Sequence, residues 1–289
     1  MPIDVAAALS AAPTVREASW TERDVMLYHL GVGAGARPLD PADLAWTYEK
    51  QLKVLPTFAM VAGQGISAGP HTAAAMAMPG VDVDLRAVLH AGQSLTVHRP
   101  LPTRGTATIT SRVADVWDKS KAAVVVLEQH AVDGSGQPLW TSSMQIWSRG
   151  EGGFGGRSGP SDGAPAPDRD PDVVLTAPTA PGQALVYRLS GDMNPLHADP
   201  AFAAAAGFER PILHGLATYG IVCRAVVDDL LDGDPARVRE YSVRFAGSLH
   251  PGETVETWVW RDGDMLTLRA ICPERAGQPL LTHATMEVR

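Results

Sequence analysis

Cysteine occurs twice in the 289 residues, as Cys223 and Cys272, each in apolar surroundings. That scarcity excludes a disulfide scaffold and a cysteine-built metal knot, and it fits a reducing compartment. Positive charge is also in deficit, with 24 Lys and Arg against 32 Asp and Glu and a formal net charge of −8. Nucleic-acid binders follow phosphates with a concentrated basic face, so nucleic acid is not an expected partner. No apolar run reaches the ~18 to 20 residues that cross a bilayer, so no membrane span is expected. The first residues, Met1-Pro2-Ile3-Asp4, put an acid where an export signal needs basic residues, and Met286-Glu287-Val288-Arg289 is not a peroxisomal address. The expected location is the cytoplasm.

What the chain does have is core and punctuation: 45% hydrophobic residues, 28 glycines and 23 prolines. This is enough for one large domain or two of ordinary size. Glycine, proline and aspartate crowd into residues 150–172, a composition that suits a connector and forbids regular structure. It divides the chain into residues 1–149 and 173–289. The two parts resemble each other. Leu27-Tyr28-His29-Leu30 aligns with Val186-Tyr187-Arg188-Leu189 at an offset of 159 residues (28 to 187), and Gly136-Gln137-Pro138-Leu139 returns as Gly277-Gln278-Pro279-Leu280. Both copies of the Gly-Gln-Pro-Leu start lead into a final strand-like run, so a duplicated unit is expected.

In the second part, Asp199-Pro200 predicts the start of a short helix ending at Gly207. A longer helix is predicted from Gly215, with Leu216, Tyr219, Val222, Cys223, Val226 and Leu230 at helical spacing and apolar residues around most of its circumference. Strands are predicted over 238–245, 253–261, 265–272 and 280–288, separated by Pro-Gly, Asp-Gly and Ala-Gly turns. The first part offers strands over 91–98, 105–116, 122–132 and 140–147, but between Val54 and Gly69 only a broken helix, interrupted by Pro56 and glycines. The predicted fold class is α+β: two repeats, each a central helix wrapped by an antiparallel sheet.

The richest stretch for chemistry is Tyr187-Arg188-Leu189-Ser190-Gly191-Asp192-Met193-Asn194-Pro195-Leu196-His197. An acid, an amide and an imidazole within six residues make a compact general acid/base set. Pro195 stiffens a turn that can bring Asp192 and His197 to one side, as an uninterrupted strand would not. Downstream, Pro211-Ile212-Leu213-His214-Gly215 opens the apolar helix, whose first N–H groups lack intrahelical partners and carry partial positive charge. The bland alternative is that residues 192–195 are only a turn; His197 and Gly215 weigh against it. His214 is read as a helix-start or supporting residue. A metal site from Asp192, His197, Asp199 and His214 matches no recognised ligand spacing. Gly65-Ile66-Ser67-Ala68-Gly69 fits a hydrolase elbow pattern but lacks the preceding strand and following helix. Gly31-Val32-Gly33-Ala34-Gly35 lacks the context of a dinucleotide site. No metal or organic cofactor is implied.

The 187–197 stretch resembles the signature of the (R)-specific enoyl-CoA hydratases, the hydratase 2 or MaoC-like family. Residues 211–215, Arg244-Phe245-Ala246, Pro251-Gly252, Gly31-Val32-Gly33-Ala34, Val54-Leu55-Pro56-Thr57, residues 113–119 and Gly152-Gly153-Phe154-Gly155-Gly156 are similar to the hydratase unit of the peroxisomal multifunctional enzyme type 2. The resemblance implies a double hotdog fold and hydration of a trans-2-enoyl-CoA to a (3R)-3-hydroxyacyl-CoA, with an acyl-CoA thioester as ligand and a homodimer as assembly. It assigns Asp192 and His197 to the attacking water, Asn194 to the same water and the turn, and the Gly215 N–H to the thioester oxygen. Thioester contacts fall by the same carry-over to His90, Ala91, Lys119 and Phe245, with Met193, Pro195 and Leu196 lining the site; Ala91 stands where the family has glycine. At the 159-residue offset Gly33 replaces Asp192 and no histidine follows, so one working site per chain is expected, the relieved first repeat holding medium, long or bulky acyl groups. The competing readings are an acyl-CoA thioesterase on this fold and a non-catalytic acyl-CoA-binding subunit.

Overall fold

A computed structural model describes residues 3–66, 79–82, 88–160 and 165–289. In chain order its elements are α1 (Val5–Ser10), β1 (Thr14–Trp20), α2 (Glu22–Gly31), α3 (Pro41–Leu44), β2 (Val88–Val97), β3 (Gly105–Asp118), β4 (Ala122–Val132), β5 (Pro138–Arg149), β6 (Val173–Pro178), α4 (Gln183–Tyr187), α5 (Pro200–Ala205), α6 (Gly215–Leu230), β7 (Val238–Phe245), β8 (Thr254–Asp262), β9 (Met265–Cys272) and β10 (Gln278–Val288). Among the described residues no helix is long and apolar enough to cross a membrane.

The ten strands form one sheet in the order β1-β3-β4-β5-β2-β7-β10-β9-β8-β6. Read outward from its middle, that order is the same in both directions: β2 matches β7, β5 matches β10, β4 matches β9, β3 matches β8 and β1 matches β6. The two halves join where β2 runs antiparallel to β7, with Ser94 opposite Ser242. The expected duplication is therefore visible as a pseudo-twofold through that seam. The strands predicted over 122–132, 238–245 and 265–272 are β4, β7 and β9, and the ends of the others differ from their predicted ranges by three residues or fewer.

Helix α6 fills the concave side. Ala217, Tyr219, Val222, Cys223, Val226 and Val227 are all buried in a single apolar cluster with Trp20, Tyr28, Phe58, Trp140, Tyr187, Tyr241 and Met286, which come from both halves of the chain. A helix apolar around most of its circumference leaves no other stable place for itself. In its described residues the matching stretch of the first repeat forms a 3-10 turn over Pro56–Met60, and Gly63 and Gly65, which follow it, disfavour continuing the turn as a helix. Its continuation over 67–78, including Ser67 of the elbow-like pattern, lies outside the described residues. The halves also meet through α2 and α4. The Tyr28 and Tyr187 rings lie 6.0 Å apart, and the Gln183 amide donates to the carbonyls of Leu30 (2.8 Å) and Gly31 (2.6 Å).

The connector carries no helix or strand in its described parts, yet residues 150–160 are fastened down. The Asp118 carboxylate accepts N–H bonds from Gly153 at 2.8 Å and Gly155 at 2.7 Å, and Arg157 bonds Asp115 at 2.5 Å. Composition excludes regular structure there without implying freedom.

Candidate active site

The acidic loop is shaped by its own polar side chains. Gly191 leaves the 3-10 turn after α4 at φ 131°, a region closed to residues with a Cβ. A Cβ there would also fall 2.6 Å from Gln64 Cβ, so the loop is pressed against the first repeat. The Asn194 N–H donates to Asp192 Oδ1 at 3.1 Å, and the Leu196 N–H donates to Asn194 Oδ1 at 3.0 Å. These two side-chain turns, together with Pro195, curl residues 195–197 into a 3-10 turn. The curl places Asp192 at the surface and turns His197 inward, where it is buried.

His197 Nδ1–H donates to the Ile212 carbonyl at 2.8 Å. A carbonyl only accepts, so this bond fixes the tautomer and leaves the Nε2 lone pair free. Burial lowers the His197 pKa, because the charged ring loses its hydration; the Ile212 carbonyl and the Asp192 charge pull the other way, and Arg188 adds to the lowering. The ring is thus neutral at pH 7 with a basic nitrogen available. A carboxylate oxygen of Asp192 and ring nitrogens of His197 and His214 all lie within 4.8 Å of one another. The fold thus brings Asp192 and His197 together, with His214 beside them.

That trio is the one cluster of potential metal ligands among the described residues. Its geometry does not suit a metal. The two imidazoles are stacked 3.7 Å apart at 25°, so their in-plane lone pairs run side by side and do not converge on one ion. His197 Nδ1 and His214 Nε2 are besides engaged with the carbonyls of Ile212 and Asp192.

Gly215 is the first residue of α6, and the N–H groups at that end have no intrahelical acceptor. A Cβ on Gly215 would meet Phe245 Cε1 at 3.2 Å, which places the last residue of β7 over the helix tip. Phe245 in turn packs on His90, ring centroids 4.6 Å apart. His90 Nε2–H donates to the Gly92 carbonyl at 3.1 Å. Burial lowers its pKa to about 4, partly offset by the Gly92 bond, by Gln93 and by the Asp192 charge. The β2–β5 register slips between His90 and Gly92, so Ala91 is a bulge residue with no partner opposite on β5. A run of contacts thus leads from His197 and His214 to Gly215 at the start of α6 and, through Phe245, to His90 beside the Ala91 bulge, where β2 and β7 pair.

Other expected residues stand differently. Met193 is exposed, its carbonyl accepting from Arg188 Nη2 at 3.3 Å, and Leu196 is tied through its carbonyl to the Ile212 N–H at 3.4 Å. Pro195 and Asn194 are exposed on the loop. Lys119 sits in the β3–β4 turn, over the Trp117 ring and 3.5 Å from the Pro160 carbonyl. The sheet order puts β3 three strands from β2, or roughly 14 Å at ordinary strand spacing, so Lys119 is not brought into the cluster. Sequence reasoning gave Tyr187 and Arg188 no role, although both flank the His197–His214 pair: the Tyr187 ring lies 4.8 Å from His214, and Arg188 acts on His197 electrostatically. Their place inside the 187–197 stretch was the available signal.

The family comparisons agree with this geometry. Residues 162–277 match the profile described as MaoC like domain, and residues 19–150 match the MFE-2 hydratase 2 N-terminal domain. The chain is 49% identical over 282 residues to enoyl-CoA hydratase ChsH3 of Mycobacterium tuberculosis, covering 98% of both. It is 42% identical over 251 residues to 3-hydroxyacyl-thioester dehydratase Y of the same organism, covering 84% of this chain and 82% of that one. The crystal structure of a MaoC-like dehydratase from Phytophthora capsici superposes with a TM-score of 0.88 at 30% identity, covering 99% of this chain and 98% of the other. The mirrored sheet is accordingly the double hotdog expected from the sequence. By sequence over its whole length and by fold, the chain belongs to the MaoC-like, hydratase 2 family of enoyl-CoA hydratases.

Proposed function

We propose that the protein adds water across the double bond of a trans-2-enoyl-CoA to give the (3R)-3-hydroxyacyl-CoA, and runs the reverse dehydration. The observation that carries this reading is the Asp192–His197 pair, its ionisable atoms within 4.8 Å and its imidazole locked with Nε2 unprotonated by the Ile212 carbonyl. A water held between them loses a proton to His197 as its oxygen bonds to C3 of the enoyl group. The alkene electron pair moves toward C2 and the carbonyl, and the charge gathering on the thioester oxygen is met by the Gly215 N–H at the positive end of α6. The enolate then takes a proton at C2 from the Asp192–His197 pair, so every proton removed from the water is returned to the product and no co-reactant is consumed. With its carbonyl oxygen capping the 3-10 turn, Asn194 keeps its amide N–H groups free to orient the water.

In this reading residues 173–289 perform the chemistry, residues 1–149 receive a medium, long or bulky acyl group, and residues 150–172 join them. His90, the Ala91 bulge and Phe245 contact the thioester end, and Lys119 meets a distal part of the CoA. The protein acts as a cytoplasmic homodimer without a resident cofactor. The test is loss of enoyl-thioester absorbance with purified protein on crotonyl-, decenoyl- and steroid-side-chain enoyl-CoA. Hydration of at least one is expected. Release of free CoA thiol without hydration would favour a thioesterase, and ligand binding without either reaction would favour a non-catalytic binding subunit.

A further inference from the structure

Building on the reading that Asp192 and His197 act on one water, we infer that His214 is the positioning residue of this site: one ring that fixes the place of both groups without itself exchanging protons. Two short segments are clasped here by a reciprocal exchange. From the acidic loop, the His197 ring donates Nδ1–H to the Ile212 carbonyl at 2.8 Å. From the segment before α6, the His214 ring donates Nε2–H to the Asp192 carbonyl at 3.1 Å. The two donating rings lie against each other, centroids 3.7 Å apart and 25° from parallel. Tyr187, the last residue of α4, backs His214 at 4.8 Å. A third bond, from the Ile212 N–H to the Leu196 carbonyl at 3.4 Å, completes the clasp.

Each part of His214 has a separate use. The flat face sets the plane of His197 and hence the direction in which Nε2 points. The rim N–H sets the backbone of Asp192, whose side chain would otherwise hang from an exposed loop held only by local turns. The next peptide belongs to Gly215, so the residue that locates the acid and the base also begins the helix that presents the oxyanion donor. Few side chains offer both functions: phenylalanine has the face without the N–H, and glutamine has the N–H without the face.

The electrostatics fit a bystander to proton transfer. His214 is 1% exposed, and burial together with the neighbouring His197 holds its pKa down to about 3, while the Asp192 carboxylate and carbonyl pull upward and Arg188 downward. His197 can therefore gain and lose its proton against a ring that stays neutral. The groups facing the pair are Asp192, Arg188 and Tyr187, and none of them supplies His214 with a proton route through Nδ1, which is buried without a partner.

Three variants separate the two functions. His214→Phe keeps the stack and loses the donor, His214→Gln keeps the donor and loses the stack, and His214→Ala loses both. Small displacements of reacting groups cost up to about 100-fold, so kcat is expected to fall roughly 10-fold in each of the first two and roughly 100-fold in the third, with KM within about twofold. The acid limb of kcat/KM should stay in place in His214→Phe. It should move to higher pH in His214→Gln and His214→Ala, where water reaches His197 and relieves the burial that depresses its pKa. Thermal melts run in parallel correct each rate to folded protein. Rates that return to wild type after that correction, or losses that appear in KM with kcat unchanged, overturn the inference. Asp192→Asn in the same assay keeps the two readings apart. If it retains turnover, the underlying site assignment fails; if it is inactive while the His214 variants run at wild-type kcat, the clasp alone is wrong.

Discussion

The two repeats place the same loop at the same point of the same fold and put it to opposite ends. After α4 the second repeat continues with Gly191, Asp192 and, five residues later, His197. After α2 the first repeat continues with Val32, Gly33 and Gly35, with Pro38 at the position of the histidine. In the second copy the loop carries the acid and the imidazole to which the proposed reaction is assigned. In the first the loop is packed by an arginine from α6: Arg224 Nη2 lies 3.5 Å from where a Cβ of Gly33 would be, Arg224 Nε donates to the Val32 carbonyl at 3.2 Å, and its guanidinium pairs with Asp228 at 3.1 Å and approaches Asp43 at 3.9 Å. Asp228 also accepts from Trp46 Nε1 at 2.8 Å. One helix thus meets both loops: its N-terminus adjoins the Asp192–His197 loop, and Arg224 in its C-terminal half packs against the Val32–Gly33 loop. The comparison teaches that hotdog geometry supplies the place, while a handful of loop residues decides between chemistry and packing.

The largest expected effect lies in the working loop. Asp192→Asn or His197→Gln should lower kcat by roughly 1,000-fold, the scale of lost general acid–base catalysis, while CoA-thioester affinity and thermal midpoint stay near wild type. Steady-state hydration assays with a parallel ligand titration measure this, and a wild-type rate in either variant would remove the roles assigned. Next comes Gly215→Ala. The added methyl meets Phe245 at 3.2 Å and shifts the ring or the helix tip, so kcat/KM should fall roughly 10- to 100-fold, the range for a displaced oxyanion donor. A variant as active as wild type would place the thioester oxygen elsewhere.

A smaller effect is read in the pH profile. Activity needs neutral His197, whose pKa is lowered from its usual 6.5 by burial; protonation sets in only as pH falls through that depressed value. The acid limb of kcat/KM is therefore expected below pH 6.5, and a limb above it would mean that His197 is not the base. Smallest for turnover, and the sharpest contrast between the repeats, is Arg224→Met. It removes the guanidinium paired with half-buried Asp228 and buried Asp43, leaving them, among the described residues, the Trp46 Nε1 and Arg37 backbone N–H donors alone, and should cost about 3 kcal/mol of stability, read by denaturant unfolding, with kcat within about twofold. A large loss of kcat per folded molecule would mean that the closed loop still takes part in the reaction.

Much of this was legible in the chain. The strands β7 to β10 are set apart by Pro-Gly, Asp-Gly and Ala-Gly turns, and α6 combines helical spacing with a glycine start, so local pattern and tertiary outcome agree. The edge strands β1 and β6 were missed because an edge strand buries few side chains; Val173–Pro178 buries only Leu175 and Ala177. Helix α2 was missed because Glu22–Gly31 mixes charged and apolar residues without a clear apolar stripe. At the site, Asp192, Asn194 and His197 could be named because a turn brings near neighbours together. The backing of His197 by His214 could not, since it depends on two segments 15 or more residues apart meeting across a fold. Lys119 shows the reverse: a motif match fixes a position in a strand turn but not its distance from the chemistry.

The most direct measurement is a double-mutant cycle on kcat with Asp192→Asn, His197→Gln and the pair combined. Groups that act on one water are a single unit, and removing the second after the first should cost almost nothing further. The combined variant is therefore predicted to be no more than about threefold slower than the slower single variant. Losses that multiply would mean that the carboxylate and the imidazole act independently, and would contradict the shared water at the centre of this account.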